Sequence, residues 1–325
     1  MWDSRLRTRV SRRVNGENMA RTHQGISGLD IRQDCICMAH YLPEQNSVAW
    51  IVINPLESAG EQWWEEAGQE LKRLVKEVKL TGQDVVVSLP AESTVLKKVV
   101  VEADEEDIER AVEWEMGQQV LGTFEEYAFD FAQMNVRAGE GLRQYLVAAS
   151  RRDRVKRLVD LVRASRLNPV VMDIDVCAAV NVFEANYGEK TASPSVLVLG
   201  DDERLKLVLT LNGELVDFEV MQYSHDPAAP DACGATIKEG LSLLRTANAG
   251  LWGEGSPEVF VGGALFADRQ LVHSLSEELS QVETLHPFRV VSCGAEMSEE
   301  DLVRHGPHLA VATGLALRGG IDAGL

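Results

Sequence analysis

Apolar positions along this 325-residue chain fall into short runs of strand length separated by stretches at helical spacing. Residues 25–40 read as strand, tight turn and strand, and 48–54 (VAWIVIN) as a further strand. From 61 to 79, Trp63, Trp64, Ala67, Leu71, Leu74, Val75 and Val78 recur one helical turn apart, which predicts an amphipathic helix. Gly82 breaks that pattern, and 84–89 (DVVVSL) is a buried-type strand closed by Pro90.

A separate unit follows. Residues 95–103 read as a strand. Asp104 is the expected cap of a helix that carries Ile108, Ala111, Val112, Trp114 and Met116, with Glu105, Glu106 and Asp107 suited to the positive end of its dipole. Strands are expected at 126–134 and 144–149, a helix at 152–165 and a strand at 170–174, giving a β-α-β-β-α-β insertion.

Residues 175–187 are apolar and helical, and the polar run 188–194 (GEKTASP) is the expected hinge between two lobes. Strands are then expected at 195–199, 206–211 and 214–221, the last two joined by Asn212-Gly213, a hairpin turn signal. Helices are expected at 236–249 and 265–279, strands at 258–261 and 288–291, and a small-residue helix at 309–317. Each half thus opens on a strand–turn–strand hairpin and continues into mixed α/β, a pattern of paired lobes.

The net charge of −19 disfavours nucleic acid, whose binding requires cations against phosphates. Only residues 1–32 run the other way, with Arg5, Arg7, Arg9, Arg12, Arg13, Arg21 and Arg32. A basic N-terminal extension over 1–24, expected to be flexible, is the resulting reading. No apolar stretch follows it as in a signal peptide, and no run approaches the roughly 20 apolar residues of a spanning helix, so a cytoplasmic address is expected. The five cysteines show no zinc-like spacing; Cys35 and Cys37 share a strand face and read as a buried thiol pair. No metal site is expected. Trp63-Trp64 is a candidate contact with another protein.

Several stretches resemble the PilM family of type IV pilus assembly proteins, relatives of the cell-division protein FtsA. Residues 85–100, followed by ADEEDIERAVEWEMGQQV and FEEYAFDF, look like the family's small inserted subdomain. YLVAASRRDRVKRLVDLVRASRLNPVVMDID is similar to its strand–helix–Val-Asp-x-Asp/Glu segment, and GPHLAVATGLALRGG to its closing helix. The resemblance implies a two-lobed actin-like (ribonuclease-H-like) α/β fold with an inserted β-rich subdomain in the first lobe and a reduced second lobe. The expected boundaries are 25–187 for the first lobe, with the insertion at about 91–175, and 188–320 for the second.

The nucleotide motifs depart from the family. Its first hairpin reads Asp-x-Gly; here Asp30 is kept and Arg32 replaces the glycine that would admit phosphate to an open amide nest. In the second, Asp-Ile-Gly becomes Val198-Leu199-Gly200, followed by Asp201, Asp202 and Glu203, three charges that repel a triphosphate. The glycine-rich loop survives as Gly262-Gly263, and the mobile helical subdomain that covers the base has no room in residues 222–235. Asp30, Gly200, Gly262 and Gly263 therefore mark a vestigial nucleotide site. Neither a cofactor nor ATP hydrolysis is expected, with Mg-ATP as the alternative.

The resemblance further implies a scaffold at the inner-membrane platform of the pilus machinery. Its partner would be the cytoplasmic N-terminal peptide of a PilN-like protein, held between the first lobe and the insertion. Val95, Leu96 and Val99 are the candidate groove residues, on a strand edge suited to peptide addition. Pilus motor ATPases and the platform protein are further partners it implies, with membrane association through them. Two alternatives stand beside this: an active ATPase using Asp173 and Asp175 as base or metal ligands, and an adaptor of a related secretion system, similar to GspL or to that of the mannose-sensitive pilus.

Overall fold

The structure, a computed structural model, describes residues 9–11, 25–135, 139–224, 231–252, 255–279, 281–295 and 297–322. It divides into two compact units: Leu89–Leu161, and Met1–Ser88 together with Val162–Leu325.

The larger unit holds two sheets of matching topology. In the first, β2 (Ile26–Ile31) pairs antiparallel with β3 (Cys35–Leu42), and β3 antiparallel with β4 (Ser47–Pro55). On its other side β2 runs parallel to β5 (Asp84–Leu89), beyond which lies β9 (Asn168–Ile174). The second sheet repeats this order. Its β10 (Ser195–Gly200) pairs antiparallel with β11 (Arg204–Leu211), and β11 with β12 (Glu214–Gln222). On the far side β10 is parallel to β13 (Glu258–Gly262), and β13 to β14 (Val282–Thr284). Buried runs such as Val196 to Leu199 and Val85 to Val87 explain why these central strands read as continuous apolar segments rather than alternating ones.

Helix α1 (Glu61–Glu77) buries Ala67, Leu71, Leu74 and Val75, the stripe its spacing predicts. Between the sheets run α4 (Asp175–Asn186) and α7 (Glu299–Asp322), and small residues let them approach closely. A Cβ on Gly314 of α7 would stand 1.8 Å from the Ala178 carbonyl oxygen of α4, and one on Gly28 of β2 would stand 1.9 Å from that of Ala312. The larger unit also contains α5 (Asp231–Ala247) and α6 (Arg269–Glu278).

The smaller unit is a three-stranded antiparallel sheet, order β6 (Thr94–Glu102), β8 (Leu142–Arg151), β7 (Tyr127–Gln133), with α2 (Ile108–Gly117) on one face. Val99, Val101, Val112, Met116, Tyr127, Tyr145, Val147 and Ala149 form its core. Helix α3 (Arg152–Ala164) spans the chain boundary into the larger unit. The compact unit ends at Leu161, whereas sequence reading carried the insertion to 175, because β9 takes its place beside β5 in the first sheet.

Five local expectations are corrected. Within the 1–24 extension, which otherwise lies outside the described residues, Arg9–Ser11 forms a strand, β1, paired with β4. The cap of α2 is Asp107, whose carboxylate accepts the Arg110 amide at 3.2 Å, and not Asp104. Helix α6 begins only after Asp268, which caps it by accepting from the Gln270 and Leu271 amides. No strand forms at 288–291: the Asn186 Oδ1 atom accepts the amides of Arg289, Val290 and Val291 at 2.9–3.1 Å, so those groups are unavailable to a ladder. The closing helix is far longer than 309–317 and continues through Pro307. The short strand β15 (Ser292–Cys293) joins the first sheet at β4. The run 188–194 lies inside the larger unit, where the Thr191 carbonyl accepts the Asn212 amide at 2.6 Å.

Candidate functional site

Asp30 stands near the end of β2, where strand alternation turns it into the protein, and it is buried. The Ser88 hydroxyl at the end of β5 donates to its Oδ1 at 2.7 Å, and the Arg32 guanidinium lies 3.5 Å from its Oδ2. Burial raises the Asp30 pKa, and Arg32 and Ser88 oppose the rise. Arg32 is itself engaged on every side. It lies 3.5 Å from Asp34, its Nη2 points at the Cys35 and Cys37 sulfurs, and its carbonyl accepts the Trp63 indole N–H at 3.1 Å. Trp63 is thus tied to this turn, edge-on to Trp64. The Arg32 amide donates to the Cys35 carbonyl at 2.9 Å.

The second turn, between β10 and β11, is also closed on itself. The Asp201 carboxylate accepts the amides of Glu203 and Arg204 at 2.8 and 2.7 Å, filling the nest that an anion would need. A Cβ on Gly200 would meet Phe266 at 2.6 Å, so this glycine serves close packing. Gly263 has a positive φ of 95°, and a Cβ there would stand 2.4 Å from the Gly200 carbonyl oxygen. Its amide donates to the Pro307 carbonyl at 2.9 Å. Gly262 meets nothing closer than 3.5 Å. The structure therefore brings Gly200 and Gly263 into contact, as backbone packed on backbone.

Two further carboxylates complete the cluster. Asp175 opens α4, and its side chain is paired with Lys206 of β11; both are buried. Asp173, at the end of β9, is paired with Arg318 of α7 at 3.0 Å. Burial raises the Asp173 pKa against the opposing Arg318. Each carboxylate that sequence reading offered as a base or metal ligand has a cation of the chain beside it. Among the described residues no group of three or more His, Cys, Asp or Glu side chains has the geometry to hold a metal ion.

A magnesium-bound triphosphate does not fit these residues. The amides that would receive phosphate oxygens are taken by Asp201 and Pro307, and an arginine stands at the first turn. The carboxylates that would share a metal are neutralised by Arg32, Lys206 and Arg318. Sequence reading missed Lys206 and Arg318. The signal for the first was available: a single lysine in the apolar strand LKLVLTL has to be paired when the strand is buried. The partner of Arg318 lies 145 positions away by numbering and had no local signal.

The candidate groove residues divide between the two faces of the small sheet. Val99 belongs to the core under α2, and Val95 packs against that core. Leu96 lies on the opposite face, which it shares by alternation with Lys98 and Val100, and with Gln144 and Leu146 of β8. A charge at Val99 would disrupt the unit's own core, so a variant there is uninformative about binding. Val100 is 48% exposed and supplies the better probe. Cys35 and Cys37 are buried with sulfurs 3.5 Å apart, and burial raises the Cys35 pKa.

Residues 39–195 match the family model described as type IV pilus assembly protein PilM. No curated protein matches. Among solved structures, the chain is similar to one from the PilM-PilN type IV pilus biogenesis complex, with a TM-score of 0.76 and 24% identity over 92% of this chain and 99% of that one. It is also similar to the cytoplasmic domain of EpsL, an inner membrane component of the type II secretion system of Vibrio cholerae (TM-score 0.47, 12% identity, 86% and 93% covered). A Bacteroides thetaiotaomicron protein with an actin-like ATPase fold and unknown function gives a TM-score of 0.49 at 9% identity, with 82% and 92% covered. The fold is the actin-like α/β architecture, built from two sheets of repeated topology. Among the described residues no helix is long and apolar enough to cross a membrane.

Proposed function

We propose that this chain, which carries the PilM family match across residues 39–195, is a PilM-type adaptor of a type IV pilus assembly platform. It works by holding a peptide of a PilN-like protein rather than by hydrolysing ATP, and reaches the cytoplasmic side of the inner membrane through that partner. The similar solved chain comes from a complex of PilM with PilN, which supports the choice of partner. The observation that carries the reading is the self-saturation of the nucleotide site. Asp201 fills its own turn and Lys206 neutralises Asp175, while the 89–161 unit keeps a well-packed core. An enzyme under selection for hydrolysis would preserve the opposite set.

The peptide site belongs on the face of the small sheet away from α2, around the exposed Val100 and the half-buried Leu146 and beside the buried Leu96, where an extended apolar peptide finds a strand edge and aliphatic side chains. Titrating a labelled cytoplasmic N-terminal peptide of a PilN-type protein against the chain, without nucleotide, tests this. Micromolar affinity, about −8 kcal/mol, is expected. Val100→Glu should weaken binding at least about tenfold, the loss of roughly 1.4 kcal/mol of apolar contact. Absence of binding at high micromolar peptide would end the adaptor reading. A rise of several degrees in melting temperature with millimolar Mg-ATP would end the claim that nucleotide is not used.

A further inference from the structure

Asp30 on the first sheet, Asp175 at the head of α4 and Lys206 on the second sheet are all buried, and the charges of Asp175 and Lys206 act on Asp30. Buried carboxylates need a countercharge, and in a cleft between two sheets a divalent cation or a protein cation can supply it. Here the side chain of Lys206 reaches Asp175, while Arg32 and the Ser88 hydroxyl attend to Asp30. The two partners of the Lys206 pair come from different parts of the unit: β11 is the second strand of the second sheet, and Asp175 leads the helix that follows the last strand of the first.

We propose that Lys206 is a built-in counter-ion, occupying the role of a divalent cation and tying α4 to the second sheet so that the two sheets are held together without metal or nucleotide. The proposal deepens the adaptor reading and rests on its claim that nucleotide is not used. Removing the ammonium takes the Lys206 charge from Asp175, whose Oδ1 accepts the Val176 amide at 2.8 Å, while Asp30 keeps Arg32 and the Ser88 hydroxyl; a hard divalent cation such as Mg²⁺ or Mn²⁺ is the replacement charge that carboxylate oxygens accept.

The test uses the full chain and its melting temperature in EDTA and across a millimolar MgCl₂ or MnCl₂ titration. Wild type should melt at the same temperature throughout. Lys206→Met should melt at least about 5 °C lower in EDTA, as expected on breaking a buried pair, and recover in a saturable way as the metal is added. The double variant Lys206→Met/Asp175→Asn removes both charges; it should be more stable than the single variant and show no metal response. If Lys206→Met does not fold in EDTA, the double variant carries the test, and its failure to fold would overturn the proposal. So would a wild type stabilised by the metal, a Lys206→Met protein as stable as wild type, or one that metal does not rescue. Loss of peptide binding by wild type alongside the expected melting pattern would overturn the adaptor reading and leave the counter-ion in place.

Discussion

His40 lies flat against Trp50, ring centroids 5.2 Å apart, with its Nδ1 2.9 Å from the Ser27 hydroxyl. Burial lowers its pKa to about 4, and burial beside Arg32 lowers that of His308 to about 3. Both rings are neutral in the folded chain above those values, whereas in the unfolded chain they take up protons below about pH 6.5. Between pH 6.5 and 4 the unfolded state therefore binds more protons, and stability falls as pH falls. For His40 the full loss is about 3 kcal/mol, reached as pH approaches 4. In urea titrations at pH 7 and pH 5, His40→Phe should lose less stability on acidification than wild type does. Equal losses would show that His40 is not buried in its neutral form. Asn186 makes a different kind of claim at this scale. Its single Oδ1 takes three amides of 289–291, of which that of Val291 is buried, so Asn186→Ala should cost about 1–3 kcal/mol by leaving that donor unpaired, measured by denaturant midpoint.

Among the elements, those with strong local signals were legible in sequence. The hairpins β2–β3 and β11–β12 announce themselves by apolar runs around tight turns, and α1 by a clean stripe. Elements decided by distant partners were not. Residues 288–291 have the apolar character of a strand, but Asn186 captures their amides from across the chain. Gly306-Pro307 has the look of a helix stop, yet α7 passes through it, with His305 and His308 buried on either side. The candidate site was legible in what it lacks and illegible in what replaces it. Arg32 and the acids after Gly200 show in the sequence; that Asp201 folds back on its own turn, and that Lys206 and Arg318 neutralise Asp175 and Asp173, needs coordinates. The crossing of α4 and α7 supplies a test at this scale. Gly314 has no room for a side chain against the Ala178 carbonyl, so Gly314→Val should destabilise by about 3 kcal/mol or more through overpacking. Gly68→Val, on α1 where nothing lies within 4 Å, should cost far less, and thermal melts of the two would separate packing from helix propensity.

At the scale of the whole molecule, the chain contains two compact units, each with its own apolar core. The 89–161 unit centres on Val112 and Met116, and the larger unit includes the aromatic group Phe183, Tyr187 and Phe260, with ring centroids 4.8–5.4 Å apart. A unit of some 70 residues buries a smaller share of its surface than one three times larger and is correspondingly marginal. Calorimetry should therefore show more than one transition, and a single two-state unfolding energy should not describe the chain. Met116→Ala removes a fully buried side chain from the smaller core, at a cost of about 2–5 kcal/mol. It should lower the earlier transition and leave the later one in place. Phe183→Ala, at a cost of about 3–5 kcal/mol, should do the reverse. The peptide-binding reading adds a sign to this pattern. A partner peptide held on β6 binds only the folded small sheet, so it should raise the earlier transition by RT ln(1 + [L]/Kd) and so narrow the gap between the two. Both variants shifting one common transition by similar amounts would show that the two cores melt as one, and a peptide that raised only the later transition would place its site on the larger unit.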